Sequence, residues 1–399
     1  MKDDRSQGCC GNKLALFRLG FRPFFLAAAL FSVISMAIWM MELFGPVKMI
    51  PSDISPMFWH AHEMIYGYAL AVITGFLLTA VRNWTGIQTL HGRPLQWLLV
   101  LWILARIAWL IPTRNALIAG MVLDNLFIVF GSVALTLPVI RAKLWKNMGV
   151  VSKFYFFLVG NIIYSLGLLG MFPDGERVGI YIGFYMILSL ILVLSRRIMP
   201  MFIERGVGYA VTLKNYLWVD ISVFLLFLAF AVSDIFLARP ALTAWLAAAL
   251  FILHCIRLRG WHTRGIWNKP LLWVLYLAYA WIIFGFGLKF SAFMAGISPF
   301  LAVHAFAAGG IGMMTLGMMS RISLGHTGRN IMQPPTGLGV MFFILFLAAF
   351  VRVVFPLMIG GHYLLWLGIS QVLWIMAFAS FLYLYSPILI RPRIDGQWG

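Results

Sequence analysis

Twelve stretches of this sequence are apolar over roughly 20 residues, and this repetition restricts the chain to one broad class of fold. A helix needs about 20 mostly apolar residues to cross the hydrocarbon core of a bilayer. The chain has 399 residues, of which 62% are hydrophobic and 11% are charged, whereas an ordinary soluble domain has about 25% charged residues. The predicted spans are approximately residues 24–44, 57–81, 94–112, 116–140, 151–172, 178–200, 213–237, 240–258, 270–290, 298–320, 336–358 and 362–390.

We therefore predict an all-α polytopic membrane protein with about 12 transmembrane helices. The segments between the predicted spans are at most about 15 residues long, so residues 1–399 are expected to form a single integral membrane domain with no soluble domain. The first apolar stretch is predicted to be a retained helix rather than a cleaved signal peptide.

The distribution of basic residues predicts the topology. The formal net charge is +18, from 30 Lys and Arg against 12 Asp and Glu. We counted the Lys and Arg in the tails, the loops and the ends of the spans. On the side of the membrane that holds the N-terminus there are 23, and on the opposite side there are 5. Because basic loops are retained in the cytoplasm, both termini are predicted to be cytoplasmic. The charge then needs no nucleic-acid partner and implies at most a weak affinity for anionic membrane lipid.

The chain has three cysteines, two of which are adjacent in the N-terminal tail. Because the tail is predicted to be cytoplasmic, Cys9 and Cys10 are expected to stay reduced. Copper binding or oxidant sensing by this pair is a minor alternative, and no disulfide framework is predicted.

Ionisable side chains inside the predicted spans are functional candidates, because charge in a bilayer is costly. The predicted topology places many of them in one layer near the external face. Three histidines at one depth favour a metal or haem site. The alternative is that Asp124 and Asp234 pair with Arg106 and Arg352 and only neutralise buried charge. The layer comprises His60, His62, Glu63, Arg106, Asp124, Asp234, His304, Arg352 and His362.

Helical geometry separates the first two histidines. His60 and His62 are about 200° apart around a regular helix, so they cannot both bind one metal unless the helix begins at about His62. Five positions of the second span recur at the same spacing in the tenth. One interpretation is a single haem held between the two helices by His62 and His304; the other is close packing of helices at small residues. The matched positions are His62, Gly67, Gly75, Thr85 and Gly86, and His304, Gly309, Gly317, Thr327 and Gly328.

Five motifs carry a resemblance to a known family. They are LFRLGFRPFF at 16–25, WHAHEMIYGYALAVITGFLLTAVRNWTG at 59–86, PLLWVLYLAYAW at 270–281, HAFAAGGIGMMTLGMMSRISLGHTGR at 304–329 and PILIRPRIDGQWG at 387–399. From end to end the chain resembles the NnrS family of bacterial membrane proteins. The resemblance implies a twelve-span protein of the bacterial cytoplasmic (inner) membrane that contains haem, expected to be b-type, and copper. It further implies a role in the nitric oxide response and the relief of nitrosative stress.

The resemblance also implies which positions matter. His60, His62 and Glu63 fall in the first histidine motif and His304 in the second, and Arg106 matches the family pattern. As a hypothesis, His62 and His304 bind haem, while His60 holds copper with His362 or Glu63. Arg106 and Arg352 are the candidates for the haem propionates. Secondary candidates are Arg82, Trp84, Asp124, Arg321, His326 and Arg329.

Two positions depart from the family pattern. Tyr276 stands where many relatives have His, so it is excluded from the core site. His362 lies outside every family motif, and only the ability of its imidazole to bind a metal makes it a candidate.

Three functions remain open at this stage. The first is reduction of nitric oxide by an oxidoreductase that draws electrons from quinol or a partner, since the sequence has no c-type haem attachment motif. The second is non-catalytic binding or sensing of nitric oxide, or protection of metal pools. The third is a twelve-helix transporter, which is disfavoured because such transporters often have two matching halves, whereas the repeat joins spans two and ten.

Overall fold

The structure is a computed structural model, and it describes residues 14–237, 239–359 and 361–399. These residues form twelve long helices and no strand, which confirms the predicted all-helical membrane fold. Cys9 and Cys10 lie outside the described residues. The helices are α1 (Phe21–Phe44), α2 (Pro56–Thr85), α3 (Gly92–Ala108), α4 (Arg114–Arg141), α5 (Trp145–Leu168), α6 (Gly175–Gly206), α7 (Leu217–Leu237), α8 (Pro240–Gly260), α9 (Pro270–Ala295), α10 (Pro299–His326), α11 (Leu338–Met358) and α12 (Tyr363–Ile390).

Eleven of these helices are long and apolar enough to cross a membrane. The twelfth, α3, has 17 residues, which is at the short end of the range for a transmembrane helix. The chain is therefore a multi-pass membrane protein. The orientation of its termini stays a prediction.

The helices form three groups of four that repeat one packing pattern. In each group the first helix packs on the second and the third on the fourth, and the fourth packs on the first helix of the next group. The second helices of the three groups, α2, α6 and α10, contact one another at the centre of the bundle. A repeat of four helices explains why spans two and ten, which are eight helices apart, carry matching sequence positions.

The matched glycines serve close packing inside the groups. A Cβ on Gly67 would lie 2.7 Å from Phe31 of α1, and a Cβ on Gly309 would lie 2.4 Å from Trp281 of α9. Each glycine thus admits an aromatic side chain from the first helix of its own group. The structure therefore supports the packing explanation of the repeated glycines.

Both α2 and α10 contain a π-helical segment immediately after their aligned histidines. The segment of α2 is Glu63–Ala69, and that of α10 is Ala305–Gly312. A π-helical turn is wider than an α-turn and changes the direction of the side chains that follow it. The two π-segments therefore decide which side chains reach the centre of the bundle.

Candidate functional site

A cavity of about 550 Å³ lies among α1, α2, α6, α10, α11 and α12. Its walls are mostly apolar, which is typical of small-molecule sites of this size. The two π-segments contribute Met64, Tyr68, Ala307 and Ile311 to the lining. The polar side chains of the lining are few and are His60, Arg177, Tyr181, His304, Arg352, Tyr363, Ser370 and Gln371.

His304 is held in the orientation that suits a ligand-binding imidazole. Its Nδ1 donates to the carbonyl oxygen of Phe300 at 2.8 Å, one helical turn earlier. A histidine whose Nδ1 hydrogen is fixed in this way carries its lone pair on Nε2. The nearest polar neighbour of that Nε2 is Nη2 of Arg352, at 3.3 Å.

His60 reaches the same cavity from α2. Its ring stacks on Trp39 of α1, with the ring centroids 4.8 Å apart and the planes 11° from parallel. Its Nδ1 is buried and has no hydrogen-bond partner within the described residues. A buried polar atom without a partner is costly. A ligand that forms a hydrogen bond or a coordinate bond with this nitrogen would remove the cost.

Arg352 is the main charge of the cavity. Its side chain is buried, and Nη2 donates to the Tyr363 hydroxyl at 2.8 Å. Its Nε and Nη1 have no partner, and no carboxylate in the described ranges forms an ion pair with it. The predicted pairing of Arg352 with Asp234 is wrong, because Asp234 contacts Lys289 at 2.7 Å.

Among the polar residues of the cavity that the sequence analysis missed are Gln371 and Arg177. Gln371 is only 3% exposed, and neither polar atom of its amide has a partner among the described residues. It was detectable as a lone amide within an apolar span. Arg177 lies in the first turn of α6, one residue before the predicted span, and was therefore assigned to a loop.

His62 does not line the cavity, although it is only two residues from His60. The two rings face different surroundings, which is one of the two outcomes that helical geometry predicted. His62 is 1% exposed and lies among α2, α3, α4 and α5. Its ring stacks on Tyr164 with centroids 4.5 Å apart. The structure thus pairs His304 with His60 at the cavity, and not with His62.

Both ring nitrogens of His62 face hydrogen-bond acceptors. Nδ1 lies 2.9 Å from Oε1 of Glu63, and Nε2 lies 2.9 Å from Oδ1 of Asn161. The orientation of the Asn161 amide is fixed, because its Nδ2 donates to Asn125, whose own Nδ2 donates to the carbonyl of Met121. Each ring nitrogen thus faces an oxygen atom of the protein at hydrogen-bond distance, so neither nitrogen is free to bind a metal.

Arg106 completes the buried ion cluster, which we define as His62, Glu63, Arg106 and Asp124. Its Nη1 contacts Glu63 at 2.6 Å, and its Nη2 contacts Asp124. The second oxygen of Asp124 accepts from the indole of Trp109 at 2.6 Å. The predicted pairing of Arg106 with Asp124 is confirmed. Arg106 thus has a carboxylate partner on two of its nitrogens and needs no ligand to compensate its charge.

The donors predicted for copper are not brought together. Glu63 is held in the buried ion cluster, and His362 is exposed at the start of α12 and is not in the cavity lining. Within residues 14–237, 239–359 and 361–399, no three His, Cys, Asp or Glu side chains form a group that can hold a metal ion. The residues of this part of the chain do not fit the predicted copper site.

Five of the six secondary candidates lie at the opposite end of the bundle. The guanidinium of Arg82 lies 5.1 Å from the ring of Trp398, and that of Arg321 lies 3.9 Å from the ring of Phe202. Trp84 lies 5.6 Å from the guanidinium of Arg197. These contacts attach the helix ends to one another and are far from the cavity lining.

His326 and Arg329 lie beside the segment that follows α12. The carbonyl of His326 accepts from Arg393 at 3.2 Å, and the backbone N–H of Arg329 donates to Leu324. Arg393 also contacts Asp395, and this guanidinium lowers the pKa of the Asp395 carboxyl to about 2. The structure therefore connects His326 to the C-terminal segment through its carbonyl, whereas the hydrogen bond of Arg329 stays at the end of α10.

Tyr276 lies outside the cavity as well. Its hydroxyl donates to the carbonyl of Leu258 at 3.3 Å, and its ring lines an open groove with Cys255, Arg259 and His262. The exclusion of this position from the core site agrees with its place in the fold.

The fold and site define a multi-pass membrane protein with a histidine-lined cavity at the meeting of its central helices. The family model described as NnrS protein matches residues 15–393. The chain belongs to the NnrS family, which confirms the family predicted from its motifs and links the chain to the nitric oxide response. No curated protein matches the chain.

Proposed function

We propose that this protein binds haem in the cavity between α2 and α10 and acts there on nitric oxide in the bacterial cytoplasmic membrane. The observation that carries the proposal is the convergence of His60 and His304, from two different central helices, on one apolar cavity. The proposal replaces His62 by His60 as the partner of His304.

The residues of the cavity fit haem. Nδ1 of His60 has no partner and is available to an iron ion, for which imidazole is a common ligand. Nε2 of His304 lies 3.3 Å from Nη2 of Arg352, so its lone pair becomes available when a ligand draws this guanidinium away. Arg352 is placed to bind a propionate, because a buried guanidinium without a carboxylate is favoured by such a partner. Arg106 is already neutralised by two carboxylates and is not needed there.

Haem held there by one of the two imidazoles would supply a strong binding centre for nitric oxide, and with both imidazoles bound nitric oxide would first have to displace one. The apolar walls admit a small, neutral, lipid-soluble molecule while they exclude water. The Phe300 carbonyl fixes the His304 ring, and Trp39 fixes that of His60. These two contacts therefore hold the imidazole rings of His304 and His60 in fixed orientations.

The finer proposal is that nitric oxide is reduced with electrons from quinol or a protein partner. The alternative is that nitric oxide is only bound, either as a signal or to protect metal pools. The buried ion cluster around His62 lies outside the cavity lining and contributes no ligand in this proposal. The three groups of helices do not form the two matching halves of a typical transporter.

The decisive experiment measures haem content and the optical spectrum of the purified protein, with and without nitric oxide. We expect H60A and H304A to lose most of the bound haem, while H91A, in an exposed loop position, keeps it. An unaltered haem band in both cavity variants would overturn the site. Protein purified without haem from haem-replete cells would overturn the function.

A second measurement separates turnover from binding. Anaerobic consumption of nitric oxide is followed with a reduced quinol analogue as the only electron donor. Many turnovers per protein support reduction, whereas consumption that stops at one nitric oxide per haem supports binding alone.

A further inference from the structure

A second arginine lines the cavity beside Arg352. Arg177, in the first turn of α6, shares the lining with Arg352 of α11. The two side chains come from different four-helix groups, so they approach the cavity from different walls. Each lies close to a tyrosine of the same lining, with Arg177 6.0 Å from the ring of Tyr181 and Arg352 5.2 Å from that of Tyr363.

Neither of these arginines has an acidic partner in the part of the chain that is described. Arg177 donates through Nη2 to the carbonyl of Ile235 at 3.1 Å, which anchors it by a neutral acceptor only. In the same half of the bundle, Arg106 and Lys289 each contact a carboxylate. The lining of the cavity thus holds two positive charges that the protein does not balance.

Uncompensated charge in an apolar cavity has a clear physical consequence. Arg352 is buried and Arg177 is half-buried. A guanidinium with reduced access to water favours a carboxylate, which it can bind through two parallel N–H groups. A neutral ligand would leave both charges unbalanced, and a ligand with one carboxylate would leave one of them.

We propose that Arg177 and Arg352 are the carboxylate-binding groups of the cavity, and that the ligand is therefore a dicarboxylate tetrapyrrole and not a neutral quinone-like molecule. This inference rests on the proposed function and extends it to Arg177, which holds the second propionate. Tyr363 orients the Arg352 guanidinium, and the Ile235 carbonyl orients that of Arg177.

The test compares haem with its dimethyl ester, in which both carboxylates are blocked. Each is titrated into the full-length protein, prepared without added haem in detergent, and binding is read from the absorption spectrum and the quenching of tryptophan fluorescence. We expect haem to bind about 100- to 10,000-fold more tightly than the ester, since each of the two carboxylates contributes about one to two powers of ten through a charge-assisted hydrogen bond. Equal affinity for the two compounds would overturn the inference, while haem binding itself would stand.

Variants assign the difference to the two residues. R177Q and R352Q should each reduce the preference for haem over the ester, and the double variant should remove it. R177K and R352K should retain part of it because they keep the charge. R114Q, at an exposed position outside the lining, is the matched control and should bind like the wild type.

Two further outcomes are informative. If neither haem nor its ester binds to the wild-type protein, the proposed function itself fails. If a short-chain neutral quinone displaces haem, and its affinity is unchanged in the double arginine variant, the cavity is a quinone site and the inference is wrong.

Discussion

Two histidines of α2 stand two residues apart, and their surroundings are opposite in chemical character. His62 has a hydrogen-bond partner on each ring nitrogen and lies near two carboxylates that both contact Arg106. His60 has a buried nitrogen without a partner and faces a cavity whose two arginines have no carboxylate partner among the described residues. The difference teaches that burial and residue type alone do not mark a ligand site. What separates the two is whether the ring nitrogens of the histidine already have partners within the protein.

The strongest test of this comparison removes the central cation of the buried ion cluster. R106M leaves Glu63 and Asp124 buried without their partner, so we expect a loss of about 3–5 kcal/mol of stability. The measurement is the apparent melting temperature in detergent, with exposed R114M as the control. A stable R106M protein that has lost its haem would instead place Arg106 in the ligand site.

The second test compares alanine variants of the two histidines. H62A should lower stability by about 1–3 kcal/mol, because Glu63 and Asn161 lose a hydrogen-bond donor, while its haem content stays near that of the wild type. H60A should melt close to the wild type in the haem-free form and lose its haem. The reverse pattern, read from melting curves and haem-to-protein ratios, would exchange the roles of the two residues.

The third test concerns the amide at the inner part of the cavity. Q371L replaces two unpartnered polar atoms by an apolar group of similar size, so the haem-free protein should gain about 1–2 kcal/mol. Exposed Q333L is the control and should change little. A lower melting temperature of Q371L would mean that the amide is satisfied in the protein, and would remove Gln371 from the ligand-binding lining.

The smallest effect is expected at the opposite end of the bundle. Because Arg393 lowers the pKa of Asp395 to about 2, the carboxylate stays charged as the pH falls from 8 to 5, and the contact is lost only as the pH approaches 2. D395N should therefore shift the melting temperature by the same small amount at pH 5 and pH 8. A pH-dependent difference, or a change in haem content, would connect this end to the cavity.

Much of the fold follows from the sequence because each span is a local property. Apolar length predicted all twelve helices, and the cost of buried charge predicted the pairing of Arg106 with Asp124. The repeat between α2 and α10 was detectable by spacing, but its origin in a four-helix unit was not. That unit is defined by contacts between helices that are distant in sequence.

The site was less predictable for two physical reasons. First, the helical wheel separates His60 from His62 but does not tell which of the two faces the cavity. Second, equal spacing in the repeat aligns His62 with His304, whereas the cavity brings in His60, two residues earlier. Which arginine remains unpaired depends on the tertiary positions of Asp124 and Asp234, and no local pattern contains that information.

The walls of the cavity come from opposite ends of the chain, and this has a consequence for biosynthesis. One wall is built from residues 36–69 and another from residues 352–374. During synthesis the first wall is complete long before α12 emerges from the ribosome. Stable loading of the cavity is therefore a late event that follows completion of the chain, and a protein truncated before α12 would insert most of its helices without retaining a ligand.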